Sequence, residues 1–276
     1  MREFIKWKVQ QIILYKNGIK RRQRIKHLFG KRALDVLGGV KDCGDKDSVI
    51  ELEYNKINFG VRINSTDLRL VESVLIGKLI DKQWRGEYYQ ALDYLRSVKS
   101  DVPIIIDAGA NIGVFSIACL EQMSNCRIIA IEPEKENYEL LKRNIGEKCD
   151  LIKGGLWSHS CNLEIIDRGT GNWGFMVKET SRNDDEVIEA FSIIDIINVF
   201  GLPRVDLLKL DIEGSEYDIF SHDYKAWLPY VNAIVIETHD NIIEGCEELV
   251  NRVLKNEGFI LSEYEENKLF IRGSKL

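Results

Sequence analysis

No run of apolar residues in this chain of 276 is long enough to cross a bilayer, so no membrane-spanning helix is expected. The N-terminal residues also lack the apolar core and small-residue cleavage site of a secretory signal. Six cysteines, Cys43, Cys119, Cys126, Cys149, Cys161 and Cys246, include no Cys-x-x-Cys pair. That spacing gives no zinc site and no disulfide framework, and it suits a reducing cytoplasm. Positive charge is scarce outside one stretch. Residues 1–32 carry eleven Lys or Arg and one acid, which leaves 27 basic against 43 acidic residues, or -16, in the rest of a chain whose net charge is -6. An acidic body repels a phosphate backbone, so no nucleic-acid partner is expected.

The basic stretch is helix-compatible, with Phe4, Ile5, Val9, Ile12 and Ile13 at near-helical spacing beside Lys6, Lys8, Lys16 and Lys20. Such a segment suits contact with the inner face of an anionic membrane or with a partner enzyme, and equally a helix packed on the acidic body. After a polar break at Lys41–Asp47, Val49–Tyr54 and Ile57–Ile63 alternate like a hairpin, and Leu68, Val71, Leu75 and Leu79 mark a helix over 66–80. Residues 1–83 are therefore an accessory region and residues 84–276 the main domain. Its first helix starts at Trp84 and carries Glu87 and Tyr88.

The informative stretch follows that helix. Ile104-Ile-Ile-Asp107-Ala-Gly109-Ala-Asn111-Ile-Gly113 reads as a buried strand and a tight turn into a helix, and a second strand, Arg127–Ile131, ends on Glu132. This is the opening of a βαβ unit, with glycines that admit a ligand to the backbone and an acid placed to accept ribose hydroxyls. The full Gly-x-Gly-x-x-Gly of dinucleotide binders is missing. A pyrophosphate on this turn would face Asp107, whereas a sulfonium and an ammonium would be attracted to it. S-adenosylmethionine therefore fits better than a nicotinamide dinucleotide.

Asp107-Ala-Gly109-Ala-Asn111-Ile-Gly113, then Glu132-Pro133, then Leu207-Leu-Lys209-Leu-Asp211-Ile-Glu213-Gly214-Ser-Glu216, resembles the FkbM family of class I S-adenosylmethionine-dependent methyltransferases over roughly residues 84–265. The resemblance implies a Rossmann-like α/β fold: a seven-stranded, mostly parallel sheet with helices on both faces, preceded here by the helical and hairpin extension. It implies that Asp107, Gly109, Asn111, Gly113, Glu132 and Pro133 hold S-adenosylmethionine. Trp157, after the third strand, is placed either to stack on adenine or to fill the core, and Glu87 or Tyr88 either meets the methionine end or belongs to a plain amphipathic helix. It also implies an acceptor hydroxyl on a saccharide or a polyketide-like product.

Lys209 and Asp211 share one strand face because strand side chains alternate, and Asp211 falls at the strand's carboxyl end. His239, one of only four histidines, ends the next strand and faces the same crevice. The expected chemistry is in-line methyl transfer to oxygen, with His239 or Asp211 as the base, the other orienting it, and Lys209 steadying Asp211 or the developing alkoxide. Glu213 and Glu216, and Asn172 and Trp173 in a Gly-rich loop, are candidates for gripping the acceptor. The chain has no Asn-Pro-Pro-Tyr motif of amine and amide acceptors at the fourth strand. No metal is assigned, but two rival readings stay open: a nicotinamide-dependent oxidoreductase, and a module in which Asp211, Glu213, Glu216 and His239 gather a divalent cation.

Overall fold

A computed structural model describes residues 49–62, 65–80, 83–123, 125–263 and 267–273. The basic stretch 1–32 and the break at 41–47 lie outside the described residues. The chain divides into two compact units, residues 1–64 and 65–276. In the first, β1 (Val49–Tyr54) and β2 (Ile57–Arg62) pair antiparallel around Asn55 and Lys56, whose φ values of 47° and 73° give the reversed turn that two-residue hairpins favour.

The second unit is built on seven strands: β5 (Ile104–Ala108), β6 (Arg127–Glu132), β7 (Asp150–Lys153), β12 (Leu207–Leu210), β13 (Ala233–Glu237), β14 (Phe259–Glu263) and β15 (Asn267–Arg272). Every residue of β5 and β12 is buried, as strands covered on both faces are, and the only charged side chains in the two, Asp107 and Lys209, face each other as an ion pair. The order is β14-β15-β13-β12-β5-β6-β7, parallel from β7 through β13 and closed by the antiparallel hairpin of β14 and β15. The chain runs outward through β5, β6 and β7, then returns to the other side of β5 as β12. The order therefore reverses between β5 and β12, where α/β sheets place their ligands. Between the strands lie α3 (Val114–Gln122), α4 (Lys135–Ile145), α5 (Ile193–Val199), α6 (Ser215–Ser221), α7 (Tyr224–Trp227) and α8 (Cys246–Asn256). Ser192 and Asp195 cap α5 reciprocally. This is a Rossmann-like α/β arrangement, as the resemblance implies.

A smaller sheet has the order β10 (Phe175–Glu179), β9 (Asn162–Asp167), β11 (Ile188–Phe191) and β8 (Gly155–Leu156). It carries the Gly-rich loop 168–174 between β9 and β10.

Two helix expectations are corrected. The stripe from Leu68 to Leu79 is not one helix: α1 (Asp67–Val71) passes into a π turn at Glu72–Ile76, Gly77 turns the chain at φ 71°, and β3 (Lys78–Ile80) pairs with β4 (Gln83–Arg85). The helix expected from Trp84 begins at Tyr89 as α2 (Tyr89–Ser97). The physical reason is a backbone contact. Glu87 N donates to Ser73 O at 3.0 Å, and a Cβ on Gly86 would stand 1.9 Å from Val74 O. Tertiary contact overrides helix propensity here. Gly86→Ala is expected to lower stability by about 1–3 kcal/mol through overpacking, read as a lower urea midpoint; an unchanged midpoint would show that this approach does not constrain the chain.

Candidate active site

The crevice lies past the carboxyl ends of β5, β6 and β12. At its donor end the turn after β5 is held open by Gly109 at φ 74° and Asn111 at φ 51°, the latter unusual for a residue with a side chain. Glu132 at the tip of β6 is buried. Its Oε2 accepts from Asn111 N at 2.8 Å, and its Oε1 accepts from Glu134 N at 3.0 Å and Asn137 Nδ2 at 3.3 Å. Burial pushes its carboxyl up to about 7 against those hydrogen bonds. Asn111 Nδ2 and Asn137 Nδ2 each donate to the carbonyl of Asn172 at 2.8 Å, so the Gly-rich loop is stitched to this end.

At the centre, Lys209 on β12 pairs in register with Asp107 on β5. Its Nζ lies 3.2 Å from Asp107 Oδ1 as an ion pair, and 3.7 Å from Asp211 Oδ2. It also donates to the carbonyls of Gly109 at 3.0 Å and Ala108 at 3.3 Å. Burial pushes this ammonium down, but the carboxylates of Asp107 and Asp211 outweigh it and leave the group raised, hence charged. Ser116 donates to the second Asp107 oxygen at 2.7 Å. Tyr88 donates its hydroxyl to Asp211 Oδ2 at 3.0 Å and stays a neutral phenol, raised by burial and by Asp211.

At the acceptor end, Glu213 sits at φ 50° before Gly214, which starts α6. Its carboxyl is raised, mainly by burial, although His239 pulls it down. His239 is buried, with Nδ1 3.0 Å from Glu216 Oε1 and Nε2 3.8 Å from both Glu213 Oε2 and Glu237 Oε1. Burial disfavours its charge, but the bond to Glu216 and the surrounding carboxylates raise it to about 9.

Of the residues expected from sequence, the structure brings Gly109, Asn111, Glu132, Pro133, Trp173, Lys209, Asp211 and Glu213 onto the wall of one cavity. Others are placed elsewhere. Asp107 is fully buried and its charge is matched by Lys209, so its expected role of facing the ligand, and of repelling a pyrophosphate, is corrected. Gly113 faces α4 instead: a Cβ there would meet Leu141 Cδ1 at 2.9 Å. Glu87 is turned away, bound by Ser73 and by Asn267 at 2.8 Å, and Tyr88 takes the wall position. Trp157 packs beside Leu163, Val177 and Ala190 and is not on the cavity wall. Glu216, fully buried, accepts from Ile212 N and Gly214 N at 2.9 Å each and backs His239, so it cannot reach an acceptor. His239 stands behind the wall, charged at neutral pH, and Asn172 contributes its carbonyl rather than an acceptor contact.

Sequence reasoning passed over Asn137, Leu156, Phe175 and Val177, which complete the donor side of the wall. An asparagine on the buried face of α4, five residues after Glu132, was the available signal for the first. The apolar three come from β8 and β10, whose inward faces depend on how the two sheets meet.

The raised carboxyl of Glu132 has a definite sign in stability. A folded value of about 7 against an ordinary 4.5 means that the folded state holds the proton more tightly. That stability is complete below the unfolded value and is lost as pH rises through the folded one. Between pH 4.5 and 7 the wild type is expected to lose about 3 kcal/mol relative to Glu132→Gln, measured by denaturant unfolding at each pH; parallel profiles would show that burial does not hold the proton.

Comparison with known proteins gives the family. The Methyltransferase FkbM domain family matches residues 107–261, more than half of the chain. Methyltransferase sdnD of Sordaria araneosa is 27% identical over 194 residues, spanning 57% of this chain and 73% of that protein. Methyltransferase 1 of Beauveria bassiana is 24% identical over 190 residues, spanning 59% and 74%. Among solved structures, Precorrin-6y C5,15-methyltransferase from Geobacter metallireducens GS-15 superposes with a TM-score of 0.38 at 15% identity, covering 71% of this chain and 91% of that one. The match begins on Asp107 and runs through Glu132 to beyond His239, so it takes in each strand tip described above: the chain belongs to the FkbM methyltransferase family and uses S-adenosylmethionine.

Proposed function

We propose that the methyl acceptor is a hydroxyl of a saccharide or polyketide-like natural product. The observation that carries this reading is the pair of carboxylates, Asp211 and Glu213, side by side on the cavity wall at the switch point of the sheet. An alcohol is a weak nucleophile and needs a base as its new bond forms, whereas an amine needs none of comparable strength. Trp173, 40% exposed on the same wall, offers an aromatic face of the kind that sugars stack against.

The residues present fit S-adenosylmethionine. Glu132 has acceptor capacity beyond its three donors for ribose hydroxyls, Ile131, Leu156, Phe175 and Val177 form an apolar wall for the adenine, and Tyr88 and Asp211 stand at the opposite end. When bound, it supplies a methyl on a sulfonium sulfur, and the carbon–sulfur electron pair leaves with the sulfur. The chain supplies alignment and proton removal. Asp211, fixed by Tyr88 and Lys209, orients the acceptor oxygen. Glu213, whose burial raises its basicity toward the working range, takes the proton while the oxygen bonds to the methyl carbon. Its side chain, 20% exposed, then returns the proton to solvent. This moves the base from the expected His239 or Asp211 to Glu213, because His239 already holds a proton at neutral pH.

Two measurements check this. In calorimetric titration S-adenosylhomocysteine should bind and NAD should not, and Glu132→Ala should weaken binding by about 10–100-fold, the worth of one or two hydrogen bonds to a charged acceptor; binding of NAD alone would restore the oxidoreductase reading. Glu213→Gln should lower turnover of a hydroxyl acceptor by about 10²–10⁴-fold with S-adenosylhomocysteine affinity kept. Full turnover in that variant would remove Glu213 as the base.

A further inference from the structure

Behind the acceptor wall the tips of β12 and β13 bring Asp211, Glu237 and His239 together, with one ligand atom from each within 4.8 Å of the others. Three features distinguish this group from a surface cluster. First, the side chain of His239 is 7% exposed and its Nε2 makes no hydrogen bond among the described residues: Glu213 Oε2 and Glu237 Oε1 both stand 3.8 Å away. Without a cation Nε2 carries a proton that no acceptor meets at hydrogen-bond distance; a cation bound between these atoms would displace that proton and take the neutral imidazole as a ligand.

Second, the other ring nitrogen is already fixed. Nδ1 meets Glu216 Oε1 at 3.0 Å, and Glu216 is itself locked by the amides of Ile212 and Gly214. A carboxylate on Nδ1 that aims Nε2 outward is the support that metal-bound imidazoles carry. Third, the spacing is close. Bonds of about 2.1 Å put neighbouring ligands about 3 Å apart and opposite ligands about 4.2 Å apart. The observed set, within 4.8 Å, is slightly wider than those values, and Glu213 lies beside it as a further negative charge, 3.8 Å from His239 Nε2.

We propose that Asp211 and Glu237 oxygens and His239 Nε2 bind one divalent cation of the manganese or magnesium type, which carboxylate-rich sites prefer. Glu237 enters this set although no motif pointed to it, and Glu216 serves as the orienting partner rather than a ligand. Asp211 belongs to both the cation site and the cavity wall, so the cation's open positions face the acceptor. Resting on the hydroxyl-acceptor reading, its role is to take the acceptor oxygen as a ligand and make its proton easier for Glu213 to remove.

The test is Mn²⁺ titration of the full chain, followed by the loss of the free-ion electron paramagnetic resonance signal, with S-adenosylhomocysteine binding measured on the same samples. One Mn²⁺ per chain is expected, weakened at least tenfold in Glu237→Gln and His239→Gln and unchanged in His159→Ala, which alters the separate surface group of His159, Cys161 and Glu179. In the wild type, electron spin echo modulation should show ¹⁴N coupling from a directly bound imidazole, which requires no variant to fold. Mn²⁺ left free at millimolar concentration, binding that only His159→Ala removes, or bound Mn²⁺ without ¹⁴N coupling would each overturn the cation site. Retained S-adenosylhomocysteine binding in those cases leaves the methyltransferase reading standing, and its loss would count against that reading instead.

Discussion

Lys209 carries its ammonium into the seam where the strand order reverses, and both halves of the site lean on that charge. It sits opposite Asp107 in the register of β12 and β5, donates to the carbonyls of Ala108, which ends β5, and Gly109, which opens the turn, and reaches Asp211 just past its own strand. A buried ion pair of this kind gains little net stability over an apolar filling, but losing one partner alone costs about 3–5 kcal/mol because the other charge is stranded. The arrangement is therefore retained as a unit. It also fixes the last residues of β5, so the turn at Gly109 and Asn111 and the carboxylate of Asp211 are set by a single cation.

Much of the fold was legible because it follows from local pattern. Buried parallel strands write themselves as short runs of large aliphatic residues, as in Ile104–Ile106, Ile128–Ile131 and, interrupted by Lys209, Leu207–Leu210. The stretch 66–88 was misread because its periodicity is helical while its backbone is committed elsewhere. Gly86 against Val74 and the pairing of β3 with β4 are contacts between residues whose nearness no single-sequence spacing reveals.

The site was legible in its motifs and less so in its roles. Glu132, Asn111 and Asp211 stand where strand-tip logic places them. Asp107 and Glu216 belong to the same motifs, yet both are fully buried: a carboxylate one residue before a turn faces inward or outward according to what the neighbouring strand presents, and here it presents Lys209. Glu87 and Tyr88 differ by one position and were weighed together; Asn267, from the far end of the chain, decided between them by binding Glu87. His239 is the clearest case. Its position at a strand tip could be read, but its protonation depends on Glu216 and on the carboxylates around it, which is a property of the assembled site.

Gly109 closes the account of the site's dimensions. A Cβ there would fall 1.8 Å from the carbonyl oxygen of Asp211, so the donor turn and the acceptor wall touch through main chain alone. No rotamer change can widen or narrow that gap, and a larger residue at 109 would have to part the two central strands. The separation of the two reacting halves is thus written into the sheet, while the outer wall belongs to the loop 168–174 and its neighbours. Such a division lets a lineage remodel what it methylates by exchanging loops, with the reach of the transfer left untouched.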